Sequence, residues 1–83
     1  MEIAFLADFF VEDGINGGGE LNNEELIKLL INKGNSVKKY HTHRLTIDHL
    51  PSKEVKLIVS NFIALSQEVK DYIAQNFSYI IYE

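Results

Sequence analysis

The chain has 83 residues, 46% of them hydrophobic and 24% charged, with a net charge of −4 and no cysteine. The length allows one domain, residues 1–83, the composition is that of a folded globular chain rather than a disordered one, and the missing cysteines remove disulfides and thiolate metal sites. The basic residues form no stripe beyond Lys38-Lys39 and the scattered Lys53, Lys56 and Lys70, so nucleic acid is not expected as a partner, and no apolar run reaches the roughly 18–20 residues that span a bilayer.

Glu2 stands where a secretory leader carries basic residues, so no signal peptide is read and a cytoplasmic, reducing setting is expected. Glu2-Ile3-Ala4-Phe5-Leu6-Ala7 is a short apolar run, the pattern of a strand buried on both faces. Residues 8–19 carry Asp8, Asp13, Gly14, Asn16 and three consecutive glycines, Gly17-Gly18-Gly19, and read as a loop. A helix is predicted over 22–33, with Leu26, Ile27, Leu30 and Ile31 at helical spacing, Asn22 and Glu25 placed as a capping box, and Gly34 as the terminating residue. A start at Gly19 or Glu20, directly on the glycine loop, is the alternative.

Ser36 to Tyr40 is a second strand, and His41 to Lys53, with the only proline at Pro51, a polar connection. Val55 to Ser60 is a third strand. Ser66 caps a second helix carrying Val69, Tyr72, Ile73 and Phe77 on one face, and Tyr79 to Tyr82 is a fourth strand. The order β-α-β-loop-β-α-β implies an α/β fold with a parallel four-stranded sheet, and right-handed crossovers favour the spatial order 2-1-3-4. Each helix then covers half of one face. A parallel sheet needs both faces covered, so either a homodimer or the remainder of a larger protein, with a further C-terminal domain, is expected; the alternative is that long side chains and the 41–54 connection cover it.

In open α/β sheets ligands bind beyond the carboxyl ends of the strands, where neighbouring connections depart in opposite directions. Here that point lies between the first and third strands, beside Asp8, Phe9 and the glycine loop on one side and Ser60, Asn61 and Phe62 on the other. Glycine lets backbone N–H groups approach an anion, and a helix N-terminus favours negative charge. The spacing Gly14-x-x-Gly17-Gly18-Gly19 is neither a dinucleotide fingerprint nor a Walker loop. The plainer reading is a βα connection without a ligand.

Asp8, Glu12, Asp13 and Glu20 crowd the same region, as candidate bases or as helix-capping carboxylates. Phe9, Phe10 and Phe62 are candidates for a pocket mouth. In His41-Thr42-His43 an extended backbone would turn both imidazoles one way, half of a zinc site that needs a third ligand from Asp48 or His49. Polar residues at a strand end are the commoner case, and no metal site is assigned.

The run Met1-Glu2-Ile3-Ala4-Phe5-Leu6-Ala7-Asp8-Phe9-Phe10, followed by Asn16-Gly17-Gly18-Gly19-Glu20-Leu21 and a helix ending in Lys33-Gly34-Asn35-Ser36-Val37, resembles the N-terminus of GT-B-fold glycosyltransferases. Val59-Ser60-Asn61-Phe62 resembles the strand end facing the same cleft in that family. The resemblance implies a Rossmann-like N-terminal, acceptor-side domain, with a second Rossmann-like domain holding the nucleotide-sugar donor. It places Gly17 and Gly18 at the glycine pair that approaches phosphate or acceptor, and Glu20 at the acid that follows. Gly19 replaces a usual alanine and Asn35 stands where histidine is common. The implied ligands are a sugar or glycolipid acceptor and a nucleotide-sugar; no cofactor is expected within this chain, and it is not expected to transfer sugar alone. The site expected from position and resemblance is Asp8, Asn16, Gly17, Gly18, Gly19, Glu20, Asn61 and Phe62. The alternative is a small flavodoxin-like interaction module that dimerises. A receiver-type phospho-acceptor is missing, because Ser60-Asn61 follows the third strand.

Overall fold

The computed structural model describes residues 1–14 and 18–82. The first apolar run forms β1, Glu2–Ala7. It is joined by β2 (Ser36–His41), β3 (Lys56–Val59) and β4 (Ile80–Tyr82) in one sheet of order β2-β1-β3-β4. All three pairings are parallel, as the alternation of strands and helices requires. The chain thus forms a small Rossmann-like α/β domain.

The pleat of β1 divides the interior into two cores. Ile3, Phe5 and Ala7 face helix α1, Gly18–Asn32, and are buried with Phe10, Ile27 and Ile58. Ala4 and Leu6 point the other way and pack with Leu57, Val59, Val69, Ile73 and Phe77 under helix α2, Gln67–Asn76. Both faces of β1 are therefore buried, which is why its sequence is a continuous apolar run rather than an alternating one.

Helix α1 begins four residues before Asn22, so the capping-box pattern at Asn22 and Glu25 lies inside the helix and caps nothing. Asn23 and Ile27, one helical turn apart, are the buried pair that seats α1 on the sheet. At the other end Gly34, in the left-handed region at φ 90°, donates to Ile31, while the Asn35 N–H reaches back to Leu30. This is the Schellman closure that glycine makes without steric cost. Ser66 caps α2 as its sequence suggests, its hydroxyl accepting from the Val69 N–H at 3.3 Å.

The connection from β2 to β3 contains two 3-10 turns, Thr42–Arg44 and Ile47–His49. Its Leu45, Ile47 and Leu50 pack onto the core beneath α2, covering sheet surface that the helix does not reach. A shallow cavity of about 290 Å³ remains at the amino ends of β1 and β2, against Ala4, Tyr40 and Pro51. On the opposite face nothing comparable overlies β4 among the described residues, and Ile81 is 48% exposed.

Candidate functional site

The carboxyl ends of β1 and β3 meet at Asp8. The register sets Ala7 opposite His41, so the next residues, Asp8 and Thr42, emerge side by side. One oxygen of the Asp8 carboxylate accepts a hydrogen bond from the buried Thr42 hydroxyl. The other accepts from the Asn61 side-chain amide at 2.5 Å. One carboxylate thus ties together the ends of β1, β2 and β3.

Asn61 reaches Asp8 because its backbone is left-handed, φ 60° and ψ 60°, a conformation that asparagine tolerates better than most side chains. Just before it, the Ser60 N–H donates to the Leu6 carbonyl at 2.8 Å, extending the β1–β3 ladder to the edge of the site.

A cleft of about 100 Å³ opens beside this staple, lined by Ala7, Asp8, Phe9, Gly19, Glu20, Asn23, Ser60 and Asn61. The first turn of α1 forms one wall through Gly19, Glu20 and Asn23. A Cβ added at Gly18 or Gly19 would meet no atom within 4 Å, and neither residue has a positive φ. Among the described residues nothing in the packing demands glycine at these two positions. The lining is rich in hydrogen-bonding groups: two carboxylates, two amides and a hydroxyl.

Of the residues expected from sequence, Asp8, Gly19, Glu20 and Asn61 line this cleft together, with Gly18 at the head of the same helix. Asn16 and Gly17 lie outside the described residues. Phe62 does not line the cleft. It starts a 3-10 turn, its ring packs edge-on against Tyr82 at 5.1 Å, and it leans on the core beneath α2. Phe10 is a core residue, stacked edge-on against Phe5 at 6.3 Å, whereas Phe9 lines the cleft. Thr42 and Asn23 are the members that sequence reasoning missed. Thr42 becomes visible only once the β1–β2 register is known.

A second polar cluster lies on the 3-10 turn Val11–Asp13. The same oxygen of Asp13 accepts from the Phe10 N–H at 2.7 Å and lies 2.8 Å from His41 Nε2. These two partners hold the Asp13 carboxyl below its ordinary 3.8, the Phe10 N–H contributing most. Lys39 bridges Glu12 and Glu24. Its hydrogen bond holds Glu12 below the ordinary 4.5. Burial pulls the Lys39 pKa down, but Glu12 and Glu24 outweigh it and leave the ammonium above its ordinary 10.5.

The extended geometry imagined for His41-Thr42-His43 does not occur, because a 3-10 turn begins at Thr42. The two rings still approach at 5.6 Å, edge to face, but His41 is committed to Asp13. Among the described residues no three histidine, cysteine or carboxylate side chains converge on one point. Nor is any described helix long and apolar enough to cross a membrane. Compared with protein families, curated proteins and solved structures, the chain matches none.

Proposed function

We propose that this chain is a sugar-binding half-site, the acceptor-side Rossmann-like domain of a glycosyltransferase of the GT-B kind. The observation that carries the reading is the cleft at Asp8, which lies at the topological switch point between β1 and β3, where ligands of open α/β sheets bind. Its chemistry suits a polyol. Asp8 and Glu20 accept hydrogen bonds, while Asn23, Asn61 and Ser60 both donate and accept. Sugar hydroxyls do both as well. A phosphate offers only acceptors and would face two carboxylates there, against the favourable but weaker pull of the α1 N-terminus.

A cleft of about 100 Å³ encloses only part of a sugar. In this reading the other wall, and the nucleotide-sugar, belong to a second domain. The chain's own part is to bind and orient acceptor hydroxyls; stabilisation of the departing diphosphate falls to the donor side.

The test is a titration of the ¹⁵N-labelled chain with simple sugars and with a nucleotide-sugar, followed by amide shifts. Millimolar binding, on the order of −4 kcal/mol, with shifts at Asp8, Gly19, Glu20 and Asn61, is expected for sugars. Micromolar binding of a nucleotide-sugar to the chain alone overturns the half-site reading. No response to any sugar overturns the reading altogether.

A second reading, a non-enzymatic module that dimerises, draws on a different observation. Ile81 on the outer strand β4, turned to the α1 side of the sheet as its partner Ile58 is, is 48% exposed, beside sheet surface that no helix overlies among the described residues. Light scattering across a concentration series separates the two: a stable dimer that ignores sugars favours the module.

A further inference from the structure

We infer that the groove along the outer edge of β2 is a docking site for an extended acidic peptide strand. The sheet order leaves β2 unpaired on one side among the described residues. The Ser36 N–H donates to the Met1 carbonyl at 2.9 Å, so Ser36, Lys38 and Tyr40 turn their backbone groups toward β1 and, by the two-residue period, Val37, Lys39 and His41 turn theirs outward. Outward N–H and C=O groups on consecutive odd positions are the template for strand addition.

This edge is also concave. A groove of about 290 Å³ runs along residues 38–41, walled on its far side by Arg44, Leu45 and His49 from the connection. Its charge is opposite to that of the chain. Lys38, Lys39 and Arg44 border it, although only eight lysines and arginines are present and the net charge is −4. Lys39 is occupied by Glu12 and Glu24, whereas Lys38 and Arg44 take part in no ion pair among the described residues. Lys38 lies over the Tyr40 ring at 5.6 Å, and Leu45 gives the far wall an apolar centre.

A strand with acidic side chains at alternate positions would satisfy Lys38, Arg44 and the outward backbone together. A second copy of β2 would not, since like-charged edges repel. A phosphate backbone would not either, since it supplies no N–H for the outward carbonyls.

The experiment titrates the ¹⁵N-labelled chain at low salt with a capped hexapeptide alternating Glu and Val. Expected are shifts confined to residues 37–41 and 44–49, slowed amide exchange at Val37, Lys39 and His41, and loss of binding as salt rises. Paired Lys38→Glu and Arg44→Glu, both exposed and so compatible with the fold, should weaken binding about tenfold or more, equivalent to roughly 1.4 kcal/mol. Lys53→Glu, away from the groove, should leave it unchanged. Equal binding of a Lys-Val hexapeptide, binding without amide protection, or no binding overturns the proposal. Tighter binding of a single-stranded oligonucleotide at the same residues overturns it in favour of nucleic acid.

Discussion

Asp8 acts on two levels at once. Its carboxylate closes the ends of three strands through Thr42 and Asn61, and it lines the cleft. A hydrogen bond to a charged group contributes about 1.5–3 kcal/mol. Thr42→Val, which keeps shape and deletes the donor, should therefore cost about 1–2 kcal/mol in urea unfolding. Asn61 separates backbone from side chain. Asn61→Gly loses the amide but relieves the left-handed backbone, while Asn61→Ala loses the amide and keeps the strain. The alanine variant should be the less stable of the two by about 1 kcal/mol, and equal melting curves would show that the φ of 60° carries no cost.

At the scale of elements, the 3-10 turn Val11–Asp13 is held by charge rather than by burial, and its hold depends on pH. Glu12 and Asp13 have folded pKa values below their ordinary 4.5 and 3.8. Their contribution is complete above those ordinary values and is lost as pH falls through the lowered ones. Lys39 is raised above 10.5, so its contribution is complete below that value and is lost as pH rises through the higher one. The turn should stay docked across neutral pH and loosen in acid. Hydrogen exchange at the Asp13 and Gly14 amides, which donate to Phe10 and Val11, should then accelerate before the core amides of β1. Simultaneous release would contradict this. Helix α2 offers a simpler check: Ser66→Ala removes the cap on the Val69 N–H and should cost about 1 kcal/mol in thermal or urea unfolding.

The elements also show what a sequence can convey. Strand β1 is legible because burial on both faces leaves an unbroken apolar run, and the alternation of strands and helices is enough for the order β2-β1-β3-β4. The start of α1 is legible only as the alternative on the glycine loop, Gly19 or Glu20, one residue or two from the observed Gly18, and not as the capping box at Asn22. Gly18 and Gly19 are poor helix formers, and Asn22 with Glu25 imitates a cap. Packing of Asn23 and Ile27 against the sheet overrides both signals. In the site, Asp8 and Asn61 follow from the switch point alone. Thr42 does not, because its role depends on which residue of β2 faces Ala7. Phe62 fails for a related reason: after the left-handed Asn61 the chain reverses direction and carries the ring toward Tyr82.

At the scale of the whole molecule, the two faces of the sheet are unequally covered. Beneath α2 the connection contributes Leu45, Ile47 and Leu50; on the α1 side β4 has no such cover among the described residues. A chain of this length gains little from its core, burying only about 60–65% of its unfolded surface, so covering Ile81 would matter. If that face joins two copies, Ile81→Glu should shift sedimentation toward the monomer while leaving the fold intact, since the side chain is already 48% exposed. An unchanged distribution would remove this face as an interface.

The Asp8 staple has a consequence for how the cleft can change over generations. Because the carboxylate is shared between the sheet and the pocket, its replacement is penalised through folding before any ligand is involved. Glu20 and Ser60 line the same pocket without bridging strands through their side chains. Selection for a different ligand would therefore act on those two positions first. The pocket's acidic character at Asp8 is inherited with the fold, and novelty in recognition has to enter from the helix and from the end of β3.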